Sequence, residues 1–323
     1  MKVLITGGGG FLGSHLGDTF LTRGDQVICL DIGSIAKIRH CFDHPRYTYV
    51  HDSVLSEAMV DSLVAQVDLV YHLAAVVGVE HYVADPYAVL NVNVNGTQLV
   101  LRSAHKYGKR VVFSSTSEVY GRNPKVPWSE DDDRVLGSTH IDRWCYSTSK
   151  AVGEHFCFAY ARLGLEVVVM RYFNVYGPRL DALDRGRVIT IFLGQALRDE
   201  PITVVGDGSQ TRCFTYVSDA IAATVQAGLR DEALGRIINI GNDRETTIRE
   251  LAETLVRLAG SKSQITFVPQ EQVYGTSYED IPRRVPDATL MRELLGVTAE
   301  TSLEDGLRQT IDYFRGQLGG AGE

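Results

Sequence analysis

Two short stretches of this chain carry residue types suited to proton transfer at a hydroxyl. Phe113-Ser114-Ser115-Thr116-Ser117-Glu118-Val119-Tyr120-Gly121 begins at the end of an apolar run, Arg110-Val111-Val112-Phe113, and replaces it abruptly with small hydroxyls and an acid. Tyr146-Ser147-Thr148-Ser149-Lys150 sets a phenol and an ammonium four residues apart, which on a helix is one face. An ammonium so placed favours the phenolate, so the phenol is expected to have a lowered pKa. Such a group can take a proton from a hydroxyl while hydride leaves the same carbon. Neither stretch decides the matter alone. Tyr and Lys at this spacing commonly decorate a helix surface, and a Ser/Thr run after a strand is commonly a loop or a helix cap. The pair gains weight only if the same chain opens with a nicotinamide site.

The opening residues supply one. Val3-Leu4-Ile5 reads as a short buried strand that runs into Thr6-Gly7-Gly8-Gly9-Gly10-Phe11-Leu12-Gly13 and then a helix to Arg23. Gly7, Gly10 and Gly13 recur every third residue, and Gly8, Gly10 and Gly13 also satisfy G-x-G-x-x-G. This geometry gives a tight turn, a bare backbone under a pyrophosphate, and a helix N-terminus aimed at it. The strand before and the helix after are the context the motif requires. A second strand, Gln26 to Leu30, ends in Asp31, about 20 residues past the glycines, where an acid holds the adenosine ribose. A carboxylate there disfavours a 2′-phosphate, so the cofactor is expected to be NAD and not NADP. Further candidates for the cofactor site come from the next strand ends. Tyr47 to His51 leads to Asp52 and Ser53, and Asp68 to His72 leads to Leu73, Ala74 and Ala75, small enough for close packing. Asn93, on a helix expected from Pro86 to about Tyr107, is another candidate.

These stretches need a frame that brings strand ends together. Strands alternate with helices through 110–114, the Tyr146 helix and 166–170, which predicts an α/β fold with a Rossmann-type, doubly wound parallel sheet. Ligands collect at the carboxyl ends of such strands. After Asn174 the texture changes at Gly177-Pro178-Arg179. Residues 1–175 plus 214–242 are expected to form the NAD-binding domain. Residues 176–213 plus 243–323 would form a smaller α/β cap that binds substrate.

The 323 residues are 44% hydrophobic and 22% charged, ordinary for a globular protein with a real core. A net charge of −8 suggests no nucleic-acid or anionic-membrane partner. No apolar run approaches a membrane span. The first residues read as a strand and not a signal peptide. The five cysteines show neither paired nor metal-ligand spacing, so no metal is expected and the thiols read as reduced, in a cytoplasmic protein.

With these residues laid out, the chain resembles the extended short-chain dehydrogenase/reductase superfamily over nearly its whole length. Within it the chain is most similar to the UDP-glucuronic acid decarboxylases, which include UDP-xylose synthases. The most specific segments are Ser115 to Gly121, Arg143-Trp144-Cys145-Tyr146-Ser147, Gly177-Pro178-Arg179-Leu180-Asp181, Arg212-Cys213-Phe214-Thr215, and Tyr274-Gly275 to Arg283-Arg284-Val285-Pro286. Leu295-Gly296-Val297-Thr298 departs from the pattern by lacking the Trp-Glu-Pro common in relatives.

The resemblance implies roles. Thr116 and Tyr146 would bond the hydroxyl on sugar carbon 4, with Tyr146 as base. Lys150 would hold the nicotinamide ribose and tune the phenol. Asn174, Arg187 and Arg212 would bind the nucleotide diphosphate sugar, although Arg187 and Arg212 also read as surface charges and Asn174 as a turn residue. Tyr82, Tyr278 and Arg284 would line the sugar site, Arg284 with Glu118 beside its carboxylate. The resemblance also implies a homodimer paired through helices 86–107 and 147–163.

The related 4,6-dehydratases carry Asp-Glu after this Thr, the Asp helping to expel a hydroxyl; here the pair is Ser117-Glu118. A simple 4-epimerase needs neither Glu118 nor a carboxylate-binding Arg284. The expected reaction is therefore NAD-dependent decarboxylation of UDP-glucuronic acid to UDP-4-keto-pentose, UDP-xylose or both. The alternatives are a UDP-sugar or uronic acid 4-epimerase, a nucleotide-sugar 4,6-dehydratase, and a non-catalytic NAD-binding sensor.

Overall fold

The computed structural model describes residues 1–274 and 281–320. The chain opens with β1 (Lys2–Thr6), α1 (Phe11–Thr22), β2 (Gln26–Asp31), β3 (Tyr47–His51), α2 (Glu57–Ala65) and β4 (Leu69–His72). Next come α3 (Val79–Ala84), α4 (Pro86–Leu90), a π-helical turn at Asn91–Asn95, and α5 (Gly96–Tyr107). β5 (Arg110–Thr116), α6 (Arg143–Ala161) and β6 (Val167–Tyr172) complete the first part of the chain.

The remainder runs through β7 (Val175–Tyr176), α7 (Val188–Leu197), β8 (Ile202–Val205), β9 (Thr211–Cys213), β10 (Thr215–Tyr216), α8 (Val217–Leu229) and β11 (Ile237–Ile240). After these come β12 (Glu245–Thr247), α9 (Ile248–Ala259), β13 (Ile265–Val268), α10 (Gln270–Tyr274), β14 (Arg283–Arg284), α11 (Thr289–Leu295) and α12 (Leu303–Gly320).

Seven strands form one sheet in the order β11-β6-β5-β4-β1-β2-β3, with every neighbouring pair parallel. This is the doubly wound sheet that the alternation of strands and helices predicts. Its inner strands read as near-continuous apolar runs because both faces are covered, whereas the edge strand β3 is partly exposed. The period-2 alternation of a strand still sorts them: Val3 and Ile5 pack with Phe20 and Tyr71, whereas Leu4 packs on the other face with Ile28 and Val70. The strand order reverses between β1 and β4, so the chain leaves these neighbours in opposite directions and opens a crevice at their carboxyl ends.

The helix expected from Pro86 to about Tyr107 is present but not uniform. Asp85 caps its start by accepting a hydrogen bond from the Ala88 amide at 2.9 Å. The π turn then widens it around Asn93, whose side chain bonds away from the helix to the Val76 backbone and Ser149. Such turns are often found where a helix serves a site. The helix bearing Tyr146 ends at Ala161, two residues short of the expected Leu163.

The remaining strands pair in smaller sheets. β9 pairs antiparallel with β12 and parallel with β14, and the β14 register sets Arg284 beside Arg212. A second anchor fixes that segment: the amide of the fully buried Trp128 donates to the Val285 carbonyl at 2.8 Å.

Candidate active site

A cleft of about 1370 Å³ opens at the crevice between β1 and β4 and continues under β9 and β14. Gly7, Gly10, Phe11, Leu12, Gly13, Asp31, Asp52, Ser53, Leu73, Ala74 and Ala75 line one part of it. Tyr82, Thr116, Glu118, Tyr146, Asn174, Arg187, Arg212 and Arg284 line the rest. Asn93 and Lys150 are buried behind this wall. Tyr278 lies outside the described residues.

The glycine turn is shaped by close approach. Gly7 has φ 71°, and a Cβ there would sit 2.7 Å from the Ala74 amide nitrogen. Gly10 caps α1 without a side-chain bond, and the first turn of α1 holds no acid, so this helix end is suited to an anion. At the end of β2 the Asp31 carboxylate accepts from the amides of Gly9 at 2.8 Å and Gly33 at 2.7 Å, which fixes it beside the turn.

His72 ties these strand ends together, a role its place in an apolar run does not reveal. Thr97 donates to the Asn93 carbonyl at 2.6 Å, so its oxygen accepts from His72 Nε2 at 3.0 Å. His72 Nδ1 is then the acceptor for the Thr6 hydroxyl at 2.7 Å, and Thr6 Oγ1 accepts from the Ala74 amide at 3.3 Å. Burial, reinforced by Lys150, pushes the imidazole down to about 3, so it stays neutral and serves as a brace.

At the end of β5, Thr116 accepts from the Glu118 amide at 3.2 Å and hydrogen-bonds the Tyr146 phenol. The Tyr146 ring stacks on Tyr82 at 5.0 Å between centroids. The expectation of a lowered phenol pKa is corrected here: Tyr146 is pushed up to about 12. Burial is the main cause and the Glu118 charge adds to it, while the Thr116 bond and Arg187 oppose it. The ammonium that was to lower it is itself affected by burial. Lys150 falls to about 8, and its Nζ donates to the Ser114 carbonyl at 2.7 Å.

Glu118 carries the charge at this corner. Arg284 Nη1 lies 2.5 Å from its Oε1, and Arg143 Nη2 lies 3.3 and 3.2 Å from its two oxygens. Burial alone would raise the Glu118 pKa, but Arg284 and Arg143 together outweigh it and hold the carboxylate at about 2. Arg143 is absent from the roles implied by the sequence. Its adjacency to Trp144 and its position three residues before Tyr146 were the available signals.

The other candidates are held by local bonds. Asn174, at φ 35°, donates to the Cys213 carbonyl at 3.2 Å. Arg187 precedes α7 and pairs with both Asp181 oxygens at 3.0 Å. Arg212 donates to the Thr211 carbonyl at 2.8 Å. Under the site, Glu154 takes a bidentate bond from Arg171 at 2.9 and 2.7 Å and a short one from Ser115 at 2.5 Å. Away from the cleft, the fold also gathers Asp18, His40 and Cys41 within 4.8 Å, a grouping their spacing does not suggest. Asp18 is held there by Arg179 at 2.6 Å and His40 at 2.7 Å.

The NAD dependent epimerase/dehydratase family model matches residues 3–241. The chain belongs to this family. It is 42% identical over 318 residues to the UDP-N-acetyl-alpha-D-glucosaminuronate decarboxylase of Bacillus cytotoxicus, covering 97% of this chain and 98% of that protein. It is 38% identical over 325 residues to UDP-glucuronic acid decarboxylase 1 of Danio rerio, covering 98% and 73% respectively. Among solved structures it is similar to the UDP-glucuronic acid 4-epimerase of Bacillus cereus, in complex with UDP-glucuronic acid and NAD, with a TM-score of 0.88 and 29% identity over 98% of this chain and 100% of that one. NAD is the cofactor of the family, and the cleft is compatible with it: the glycine turn presents bare backbone at the start of α1, and Asp31 places an acid at the end of β2.

Proposed function

We propose that this family member decarboxylates a UDP-sugar acid, with UDP-glucuronic acid as substrate and UDP-4-keto-pentose, UDP-xylose or both as products. The observation that carries the reading is the Glu118 corner, where two buried guanidiniums flank one carboxylate beside Tyr146. A sugar bearing an acid at carbon 6 needs a cation there, and guanidinium matches carboxylate geometry.

NAD, when bound, supplies the hydride acceptor at sugar carbon 4. The chain handles the protons and charges. Tyr146, bonded by Thr116, takes the proton of the carbon 4 hydroxyl, and Lys150 holds the nicotinamide ribose. The ketone so formed is β to the carboxylate, and carbon dioxide leaves as its bonding electrons pass into an enolate. A proton delivered to carbon 5 gives the 4-keto pentose, and UDP-xylose would follow if the hydride returned to carbon 4 while Tyr146 gave the proton back to the oxygen. Gly7, Gly10, Phe11, Leu12, Gly13, Asp31, Asp52, Ser53, Leu73, Ala74 and Ala75 hold the cofactor, with Asn93 bracing the wall behind them. Asn174, Arg187 and Arg212 hold the nucleotide diphosphate, while Tyr82 and Arg284 close on the sugar.

A second substrate reading rests on the Bacillus cytotoxicus relative, whose name specifies an acetamido sugar acid. The chemistry at carbons 4, 5 and 6 is the same, and only the group at carbon 2 differs. A 4,6-dehydratase is disfavoured because Ser117 stands where its acid would be, and a simple epimerase because it leaves the Arg284 corner without a purpose.

The protein is further proposed to act as a cytoplasmic homodimer. Its five cysteines are free thiols, which fits a reducing compartment, and no helix among the described residues is long and apolar enough to cross a membrane. Val83, Tyr87 and Leu90 on and beside α4 are exposed large hydrophobics next to the expected pairing helices. The function is tested by incubating the NAD-loaded protein with UDP-glucuronic acid and with its 2-acetamido counterpart and following product mass. A mass loss of carbon dioxide from either supports the reaction, and the faster of the two identifies the substrate.

A further inference from the structure

Asp18, His40 and Cys41 converge on one point beside α1, and none of them lines the cleft. Asp18 belongs to α1, while His40 and Cys41 are neighbours in a single 3₁₀ turn at Arg39–Cys41. His40 Nε2 lies 2.7 Å from Asp18 Oδ1, and the Cys41 thiol donates to that same oxygen at 3.3 Å. The three atoms all lie within 4.8 Å of one another.

The other carboxylate oxygen is engaged separately. Asp18 Oδ2 accepts from Arg179 at 2.6 Å, and Arg179 also donates to His15 Nδ1 and to the Lys37 carbonyl, each at 3.2 Å. Arg179 thus fixes how the carboxylate is turned and leaves Oδ1 facing the imidazole and the thiol. Carboxylates that ligate a metal through one oxygen are themselves held by such hydrogen bonds.

A carboxylate, an imidazole and a thiolate together suit zinc, whereas magnesium and calcium take oxygen ligands. Tetrahedral zinc holds such atoms about 3.3–3.7 Å apart, so the three need to shift by only about 1 Å. Cys41 is buried and Asp18 half-buried, but His40 is exposed, so solvent reaches the point and a water can complete the coordination. The carboxylate and the thiolate together neutralise a divalent ion, so it adds no net charge beside Arg179.

We propose that Asp18, His40 and Cys41 form a zinc site separate from the active site, with Arg179 orienting the carboxylate. The ion replaces the thiol proton, which leaves to solvent, and takes the Nε2 lone pair of His40, whose ring proton moves to Nδ1. It ties the 3₁₀ turn to α1. Cysteine spacing does not signal the site, because only one cysteine takes part and Asp18 lies 22 residues before His40.

The test uses NAD-loaded protein stripped of metal with a chelator. Zn²⁺ affinity is read by competition with a chromophoric chelator. Co²⁺ serves as a spectroscopic probe, because a thiolate ligand gives it an intense near-ultraviolet charge-transfer band. One Zn²⁺ per chain is expected, and a Co²⁺ band that Zn²⁺ removes and Mg²⁺ does not. Cys41→Ser should abolish the band. His40→Ala, at an exposed position, should weaken Zn²⁺ binding by more than the roughly tenfold that loss of an outer-shell partner costs. Cys145→Ser, which removes a half-buried thiol outside the cluster, should change neither reading. A band that survives Cys41→Ser or disappears in Cys145→Ser would assign the ion to another thiol and overturn the inference. The absence of any thiolate band in the parent, or an unchanged Zn²⁺ affinity in His40→Ala, would overturn it as well. Should Cys41→Ser not fold, the parent, His40→Ala and Cys145→Ser measurements still decide the question.

Discussion

Arg284 Nη1 lies 2.5 Å from Glu118 Oε1 although 166 residues separate them in the chain. Two parts of the fold fix the meeting. Glu118 sits in the turn that ends β5, and Arg284 reaches it because β14 is registered against β9 and Val285 is bonded to Trp128. Loss of Glu118 leaves the Arg284 guanidinium buried without that carboxylate, whereas loss of Arg284 leaves Glu118 held by Arg143.

Arg284→Ala should lower the rate of carbon dioxide release from UDP-glucuronic acid by about a hundredfold or more. NAD affinity should change little, because the glycine turn and Asp31 lie at the other end of the cleft. Product mass spectrometry and cofactor titration on one preparation read both effects. Parallel loss of NAD binding would mean that Arg284 supports the fold and not the sugar acid.

Tyr146→Phe removes the phenolic oxygen and keeps the ring that stacks on Tyr82. Oxidation at carbon 4 should fall roughly 10²–10⁴-fold with NAD still bound. The signal is the reduced-nicotinamide absorbance in a single turnover. A variant that still develops it at the wild-type rate would show that the proton leaves by another route.

Lys150 gives a pH dependence with a definite sign. Burial lowers its pKa to about 8, so the ammonium of the free protein is charged below that pH and neutral above it. If the charge supports the bound cofactor, NAD affinity should decline as pH rises through about 8. Binding of NAD should in turn raise the Lys150 pKa by linkage. Fluorescence titrations between pH 6.5 and 9.5 (a span chosen to bracket the group,) should give a decline in wild type and a flat profile in Lys150→Met. The same slope in both would assign the titration to another group.

Glu154 and Arg171 form a buried bidentate pair beneath the strand ends. Glu154→Ala should cost about 3–5 kcal/mol of unfolding free energy because Arg171 keeps its buried charge without its carboxylate. Urea unfolding of the two proteins is the measurement. A loss below about 1 kcal/mol, the range of an exposed pair, would show that the site relaxes or admits water.

Much of this was legible in the residues, for reasons that differ by element. The sheet was readable because β1, β4, β5 and β6 are apolar runs bounded by turns, and the Gly7–Gly13 turn because strand and helix flank it. The meeting of Glu118 with Arg284 came from resemblance alone, since no local pattern specifies a pairing across so much chain. Arg143 was missed as a site residue because a cation ahead of a helix reads as solvated surface, and only the packed structure reveals its burial. The Tyr146 pKa was misjudged for a related reason. Spacing on a helix face places Lys150 near the phenol but does not reveal the burial that raises its pKa. The π turn at Asn93 follows from bonds to Val76 and Ser149, which sequence periodicity does not encode.

The most direct test of the central claim is the product formed when wild-type protein, loaded with NAD, is given UDP-glucuronic acid. The account predicts stoichiometric carbon dioxide and a UDP-pentose or UDP-4-keto-pentose by mass. UDP-galacturonic acid with no carbon dioxide would contradict it, make the protein an epimerase, and leave the Glu118–Arg284 corner misread.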